Sequence, residues 1–147
     1  MPAMTSTPFE EERSFTGLYA TKRARLCLAN NTTGLTVAST TAQWDAAELT
    51  GNGYARFEWT VPAGAYNATT LRFEAPAQLA QFQASAGGAG LTWNTAYLVF
   101  GTLSGGVTTW QTGVSYLVVE SPNIVLSPGE PRGYNVQLLT DGLTVTS

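Results

Sequence analysis

The sequence predicts a mainly β protein, an antiparallel β-sandwich or barrel with a short N-terminal arm and helix. Two observations carry this. Ala55, Phe57, Trp59 and Val61 alternate with Tyr54, Arg56, Glu58 and Thr60, and Tyr134, Val136 and Leu138 alternate with Asn135 and Gln137. That is the period-2 pattern of strands with one apolar and one polar face. Turn chemistry separates such runs at intervals of roughly 8 to 15 residues, the spacing of antiparallel sandwiches and barrels. There is no internal repeat, coiled-coil heptad or low-complexity tract.

Taken in order, residues 1–8 hold two prolines among small polar residues and read as an arm ordered by contact with something else. Thr7 is positioned to cap a helix with Pro8 at its first position and Glu10, Glu11 and Glu12 in its first turn, where carboxylates complement the helix dipole. Phe9, Phe15 and Leu18 share one face of this helix, with Tyr19 beside them. Lys22, Arg23 and Arg25 form a brief basic cluster before a first strand at Leu26 to Leu28. The arm is drawn as residues 1–25 and the single β domain as 26–147. Phe9, Phe15, Leu18, Tyr19, Arg23 and Arg25 are its candidate intersubunit residues.

Residues 30–34 are a turn cluster and residues 35–38 a short strand or loop edge. Residues 43–49, with Trp44, Asp45 and Glu48, read as a polar approach to the next turn. Gly51 and Gly53 flank Asn52, residue types that tolerate positive φ, so the chain reverses there at small steric cost. The strand at 55–61 follows and stops at Pro62, and Leu71, Arg72, Phe73 and Glu74 predict another. Residues 75–90, rich in Ala, Gln and Gly, read as a loop or edge segment anchored by Leu79 and Phe82. Tyr97, Leu98, Val99 and Phe100 are apolar on both faces, as in a central strand buried on both sides. Ser104, Gly105 and Gly106 make a hairpin turn into residues 107–112, with Trp110 inward. Residues 114–119 and 124–126 continue the meander. Residues 127–131 (Ser-Pro-Gly-Glu-Pro) and then Asp141 with Gly142 supply the last turns.

Length and composition narrow the function classes. A chain of 147 residues fits one domain able to bury most of its apolar surface without disulfides or metals. Seven basic residues against ten acidic ones argue against a nucleic-acid-binding body. Only 12% of residues are charged, about half the usual share of roughly 25%, which suits a rigid β surface covered by partners. There is no histidine, one cysteine (Cys27) and one lysine, and no glycine-rich phosphate loop followed by Lys. The common nucleophile, metal and nucleotide arrangements are therefore missing. Cys27 reads as a small core residue. Asp45 and Glu48 beside Trp44 hold the ingredients of a glycosidase pair, but two acids three apart before a turn are common, and the polar-approach reading is adopted. The expectation is no enzyme, no cofactor and no metal. The N-terminus lacks a basic segment followed by an apolar one, and no window approaches about 18 apolar residues. Neither a signal peptide nor a membrane span is expected, and the N-x-T triplets at Asn30, Asn31 and Asn67 carry no weight.

The segment Glu48-Leu49-Thr50-Gly51-Asn52-Gly53-Tyr54-Ala55-Arg56 resembles the signature of a family of small virion structural proteins of tailed bacteriophages, often labelled tail fibre proteins. Members typically read Glu-Val-Ser-Gly-Gly-Gly-Tyr-Ala-Arg there. The similarity extends to the N-terminal helix, the strand at 26–29, the strand at 91–100 with its hairpin at 103–106, the Trp110 strand and the terminal 142–146. The basic stretch 22–25 and the insertion 128–132 depart from it. The resemblance implies a structural virion component assembled in the host cytoplasm, a tail fibre or attachment module. It implies contacts with other virion proteins and a homo-oligomer, a trimer first, with no nucleic acid or membrane and a host surface glycan as a further partner. Gly51, Gly53, Tyr54 and Arg56 are its motif residues. A capsid decoration (cement) protein is the alternative. A carbohydrate-binding module using Trp44, Trp93 and Trp110 as stacking surfaces comes third.

Overall fold

The computed structural model describes residues 7–19, 22–139 and 142–146. The elements, in chain order, are α1 (Pro8–Tyr19), β1 (Lys22–Ala29), α2 (Thr41–Ala47), β2 (Phe57–Thr60), β3 (Ala65–Asn67), β4 (Arg72–Glu74), β5 (Gln78–Gln83), β6 (Leu91–Ser104), β7 (Val107–Trp110), β8 (Tyr116–Leu126), β9 (Pro131–Leu139) and β10 (Gly142–Thr146). All pairings are antiparallel and fall into two five-stranded sheets. The protein is a β-sandwich with a short N-terminal helix, as the alternation predicts.

The long β6 is the spine of the first sheet. It pairs β1 along one edge, from Lys22↔Thr102 to Ala29↔Thr95. Its other edge is shared by β8, through residues 91–98, and β7, through residues 101–104. β2 lies outside β1. β9 is the spine of the second sheet, flanked by β10 on one side and by β5 and β4 on the other, with β3 outside β4.

The inward faces interlock in one core. Ala24, Leu26, Leu28, Trp59, Trp93, Ala96, Leu98 and Phe100 from the first sheet meet Ala80, Phe82, Tyr134, Val136 and Leu138 from the second. The intervening residues of β1 and β6 turn outward into a second cluster of Cys27, Ala29, Tyr97 and Val99, which α2 roofs with Trp44. β6 is thus buried on both faces, the condition its unbroken apolar run encodes.

Several expectations are corrected. The boundary at residue 25 falls inside β1, because Lys22, Arg23 and Arg25 already pair with β6. Arg25 is 2% exposed, so it is an interior residue and not part of an arm. Residues 43–49 are mostly helix: Thr40 accepts from the Gln43 N–H (3.2 Å) while the Gln43 side chain accepts from the Thr40 N–H (2.8 Å). Such a capping box satisfies two otherwise orphaned donors. Residues 75–90, read as a loop or edge segment, contain the edge strand β5, whose inward residues are Ala80 and Phe82. Leu79, expected as an anchor, is 54% exposed. Leu71 lies outside β4, in the turn before it, at φ 57°. The two runs expected at 114–119 and 124–126 join in one strand, β8, irregular where the register on β6 shifts between Trp93 and Thr95. Tyr54 and Arg56, expected on the polar face opposite Phe57 and Trp59, precede β2, and Tyr54 packs against the same core as those two rings.

The N-terminal helix starts where the sequence places it, with the Glu10 N–H bonded to Thr7 Oγ1 at 3.3 Å. It packs on β3 and β4. Phe15 is 3% exposed and its ring lies 5.3 Å from that of Phe73. Phe9 and Leu18 are exposed. The expected shared face therefore splits, with Phe15 alone of the three turned toward the sheet. Of the arm expected at residues 1–8, residues 1–6 lie outside the described residues, as does the side chain of Tyr19.

Candidate functional site

The motif at 48–56 folds into a clasp at one end of the sandwich. Gly51, Asn52 and Gly53 stand at φ 73°, 54° and 88°, three successive left-handed residues that only Gly and, at lower frequency, Asn adopt cheaply. The turn rests on the segment after β5. The Ser85 N–H donates to the Asn52 carbonyl at 2.8 Å, and the Ala89 N–H donates to Asn52 Oδ1 at 3.1 Å. A Cβ on Gly53 would stand 2.6 Å from Ser85 N. Gly53 is required by this close approach as well as by its φ.

The polar residues of the motif close on one carboxylate. Glu48 follows α2, held to β1 by a bridge to Ala29, and its side chain is 8% exposed. Tyr54 Oη donates to Glu48 Oε1 at 2.6 Å and accepts from the Leu28 N–H at 3.0 Å. Arg56 donates through Nε to Oε1 at 3.1 Å and through Nη2 to Oε2. Burial, then the nearby Cys27 and the bond to Glu48, pushes the Tyr54 phenol well above its ordinary value. Tyr54 is therefore a fixed donor to Glu48. The motif residues Tyr54 and Arg56 thus tie the glycine turn to the end of β1 within one chain.

A second clasp lies alongside. Arg25 donates from Nη2 to both oxygens of Asp45, at 3.0 and 2.8 Å, and Tyr97 Oη donates to Asp45 Oδ1 at 2.8 Å. The Arg25 guanidinium sits 4.7 Å from the Trp110 ring centroid. Removing a charge from water this completely is costly unless its partner comes with it; here Asp45 supplies the partner charge, while Arg25 Nε is buried without a hydrogen-bond partner. Each member of the suspected carboxylate pair is thereby bound to its own arginine and its own phenol.

The remaining reactive candidates are similarly occupied. Cys27 is fully buried, and burial together with the Glu48 charge pushes its thiol up to about 12, the condition of an inert thiol. Glu74 lines an open groove with Tyr66 and Gln137. Its carboxylate accepts from Thr70 Oγ1 (2.7 Å), Asn67 Nδ2 (3.0 Å) and Arg72 Nε (3.1 Å), which hold it below the usual carboxylate range. Trp93 donates from Nε1 to Tyr134 Oη at 2.9 Å, and Tyr134 Oη donates to Glu120 at 2.7 Å, inside the sandwich. Trp44 and Trp93 are 0% exposed and offer no stacking surface, and the partly exposed Trp110 carries the Arg25 guanidinium against its ring. Among the described residues no three carboxylate or cysteine side chains converge as a metal site, and no helix is long and apolar enough to cross a membrane.

Sequence reasoning located the turn and named Tyr54 and Arg56, but missed the partner of both, Glu48, and the whole of the Arg25–Asp45–Tyr97 group. The one local signal that could have helped was the capping box Thr40-x-x-Gln43, which starts α2 and so places Asp45 and Glu48 over β1. No family model, no curated protein and no solved structure matches the chain.

Proposed function

We propose that the chain is a structural component of a tailed-bacteriophage virion, a tail fibre or attachment module that works through protein–protein contacts in a homo-oligomer. The observation that carries this reading is the fate of the motif through which the chain resembles that family. Glu48, Tyr54 and Arg56 fix the turn to β1, and Asn52 fixes it to the segment after β5. A motif used that way marks an architecture rather than a reaction. The absence of histidine and the locked carboxylates support the same conclusion.

The outward chemistry also fits. Residues 75–119 contain no Asp, Glu, Lys or Arg, and they supply all of β5, β6 and β7. Val107 and Val119 are exposed there, with Val125 further along β8. A surface of hydroxyls, amides and isolated apolar side chains can be covered by a neighbour without stripping water from charges.

The experiment is to find the chain in purified particles by mass spectrometry and place it in a particle reconstruction. A few tens of copies or fewer on the tail is the expected result, hundreds on the capsid shell would make it a cement protein, and absence from particles would overturn the proposal. Incubation with host polysaccharide should release no reducing sugar.

A further inference from the structure

α1 is attached to its domain in an unusual way. Among its described side chains only Phe15 is buried, while Phe9 is 71% and Leu18 49% exposed. Phe15 enters a socket made by the Phe73 ring and the bare backbone of Gly64. A Cβ on Gly64 would stand 2.8 Å from the Phe15 ring and 2.7 Å from that of Phe73. No backbone hydrogen bond among the described residues joins α1 to a strand. β1, by contrast, is bound along both edges, to β2 and to β6. Only two residues separate the end of α1 from the start of β1.

We propose that α1 is an exchangeable plug, and that Phe15 of one copy fills the Gly64–Phe73 socket of a second copy of this chain in the assembled oligomer. The occupant follows from identity: the socket already holds this helix, and every copy carries the same helix and the same socket. Exchange leaves both sheets intact, because every strand pairing lies after α1. Contacts inside the socket are the same in either arrangement, so concentration and burial at the new junction decide between them. Phe9 and Leu18 supply that burial, because an exchanged helix carries them to the boundary between copies. The proposal deepens the oligomeric part of the functional reading by naming which element joins the copies.

The test uses the full chain. The protein is refolded from denaturant at high and at low concentration, and subunit number is read by native mass spectrometry. The expected result is an oligomer formed at high concentration that is lost in Phe15→Ala, which has no plug, and in Gly64→Val, whose socket is closed. An equimolar mixture of the two variants should form a mixed oligomer, since one contributes an intact socket and the other an intact plug. A wild-type chain that stays monomeric after refolding at high concentration overturns the proposal. So does an oligomer that survives Phe15→Ala, or a mixture that yields no mixed species. Circular dichroism checks that each variant keeps its sheet, with Phe15→Leu and Gly64→Ala as milder replacements where one does not. A Phe15-dependent oligomer stands whether or not the chain is found in particles, and a particle-bound chain that is monomeric after refolding overturns the exchange alone.

Discussion

The glycine turn offers the sharpest test of the structural reasoning, because its two glycines share a backbone conformation but not an environment. Gly51 and Gly53 have φ of 73° and 88°. Placing alanine at either position imposes left-handed strain of about 1 to 2 kcal/mol. At Gly51 nothing lies within 4 Å of the added carbon, whereas at Gly53 it would meet Ser85 N at 2.6 Å and Gln83 O and Ser85 Cβ at 3.0 Å each. Two of these are backbone atoms at the end of β5 and just beyond it, so relief means moving that segment. Moving it stretches the 2.8 Å bond from Ser85 N–H to Asn52 O. Overpacking of this kind costs about 1 to 3 kcal/mol, and the weakened bond adds about 1 kcal/mol. Gly53→Ala should therefore be less stable than Gly51→Ala by about 2 kcal/mol or more, roughly 6 °C in melting temperature for a chain of this size. Asn52→Ala loses the bond from the Ala89 N–H and the tolerance of Asn for positive φ, about 1 kcal/mol, and Gly53→Val should exceed all three. Thermal melts followed by circular dichroism decide the order. Equal melting temperatures for Gly51→Ala and Gly53→Ala would refute the close approach of the turn to the segment after β5.

Two further outcomes follow from the buried polar groups. Arg56→Met should destabilise by about 3 kcal/mol in urea unfolding, because it leaves the Glu48 carboxylate buried with Tyr54 as its remaining side-chain partner, whereas Arg13→Ala, which breaks an exposed helical pair with Glu10, should leave the midpoint unchanged. Alkaline pH should destabilise the fold from about pH 9 upward. The Cys27 thiol rises from an ordinary 9.0 to about 12 on folding, so its contribution is complete below the unfolded value and is lost as pH climbs toward the folded one. Tyr54, Tyr97 and Tyr134 are raised as well and act in the same direction. Cys27→Ala should blunt the first part of this decline, and a melting temperature flat to pH 11 would contradict it. In the native state Cys27 should resist thiol reagents at pH 8 and react fully once the chain is unfolded.

Much of the fold is written locally. A left-handed turn at 51–53 needs residues that tolerate positive φ, and that requirement is met or failed by the residues themselves. The alternation before Pro62 and along β9 is equally direct, because side-chain direction in a strand depends only on position parity. The run Tyr97 to Phe100 announced a strand covered on both faces, and it lies between the two apolar clusters. Thr7 and Pro8 specified the start of α1. β5 was legible only as a loop or edge segment because, of its two inward residues, Ala80 and Phe82, the first is too small to sharpen the period-2 contrast.

What tertiary structure decided is which charges meet and which helix face is covered. Arg25 looked like part of a basic arm because its neighbours in sequence are Lys22 and Arg23. Its environment is set by Asp45, Tyr97 and Trp110, all distant along the chain. Glu48 and Arg56 are closer in sequence, yet their pairing depends on the turn folding back and on β1 supplying the Leu28 N–H. Phe9, Phe15 and Leu18 were alike as sequence, and only the gap at Gly64 selected Phe15 for burial. Backbone preference and strand parity are properties of a residue and its immediate neighbours, so the sequence carries them. Burial and the pairing of charges are properties of the space a side chain enters, and that space exists only after the sheets have packed.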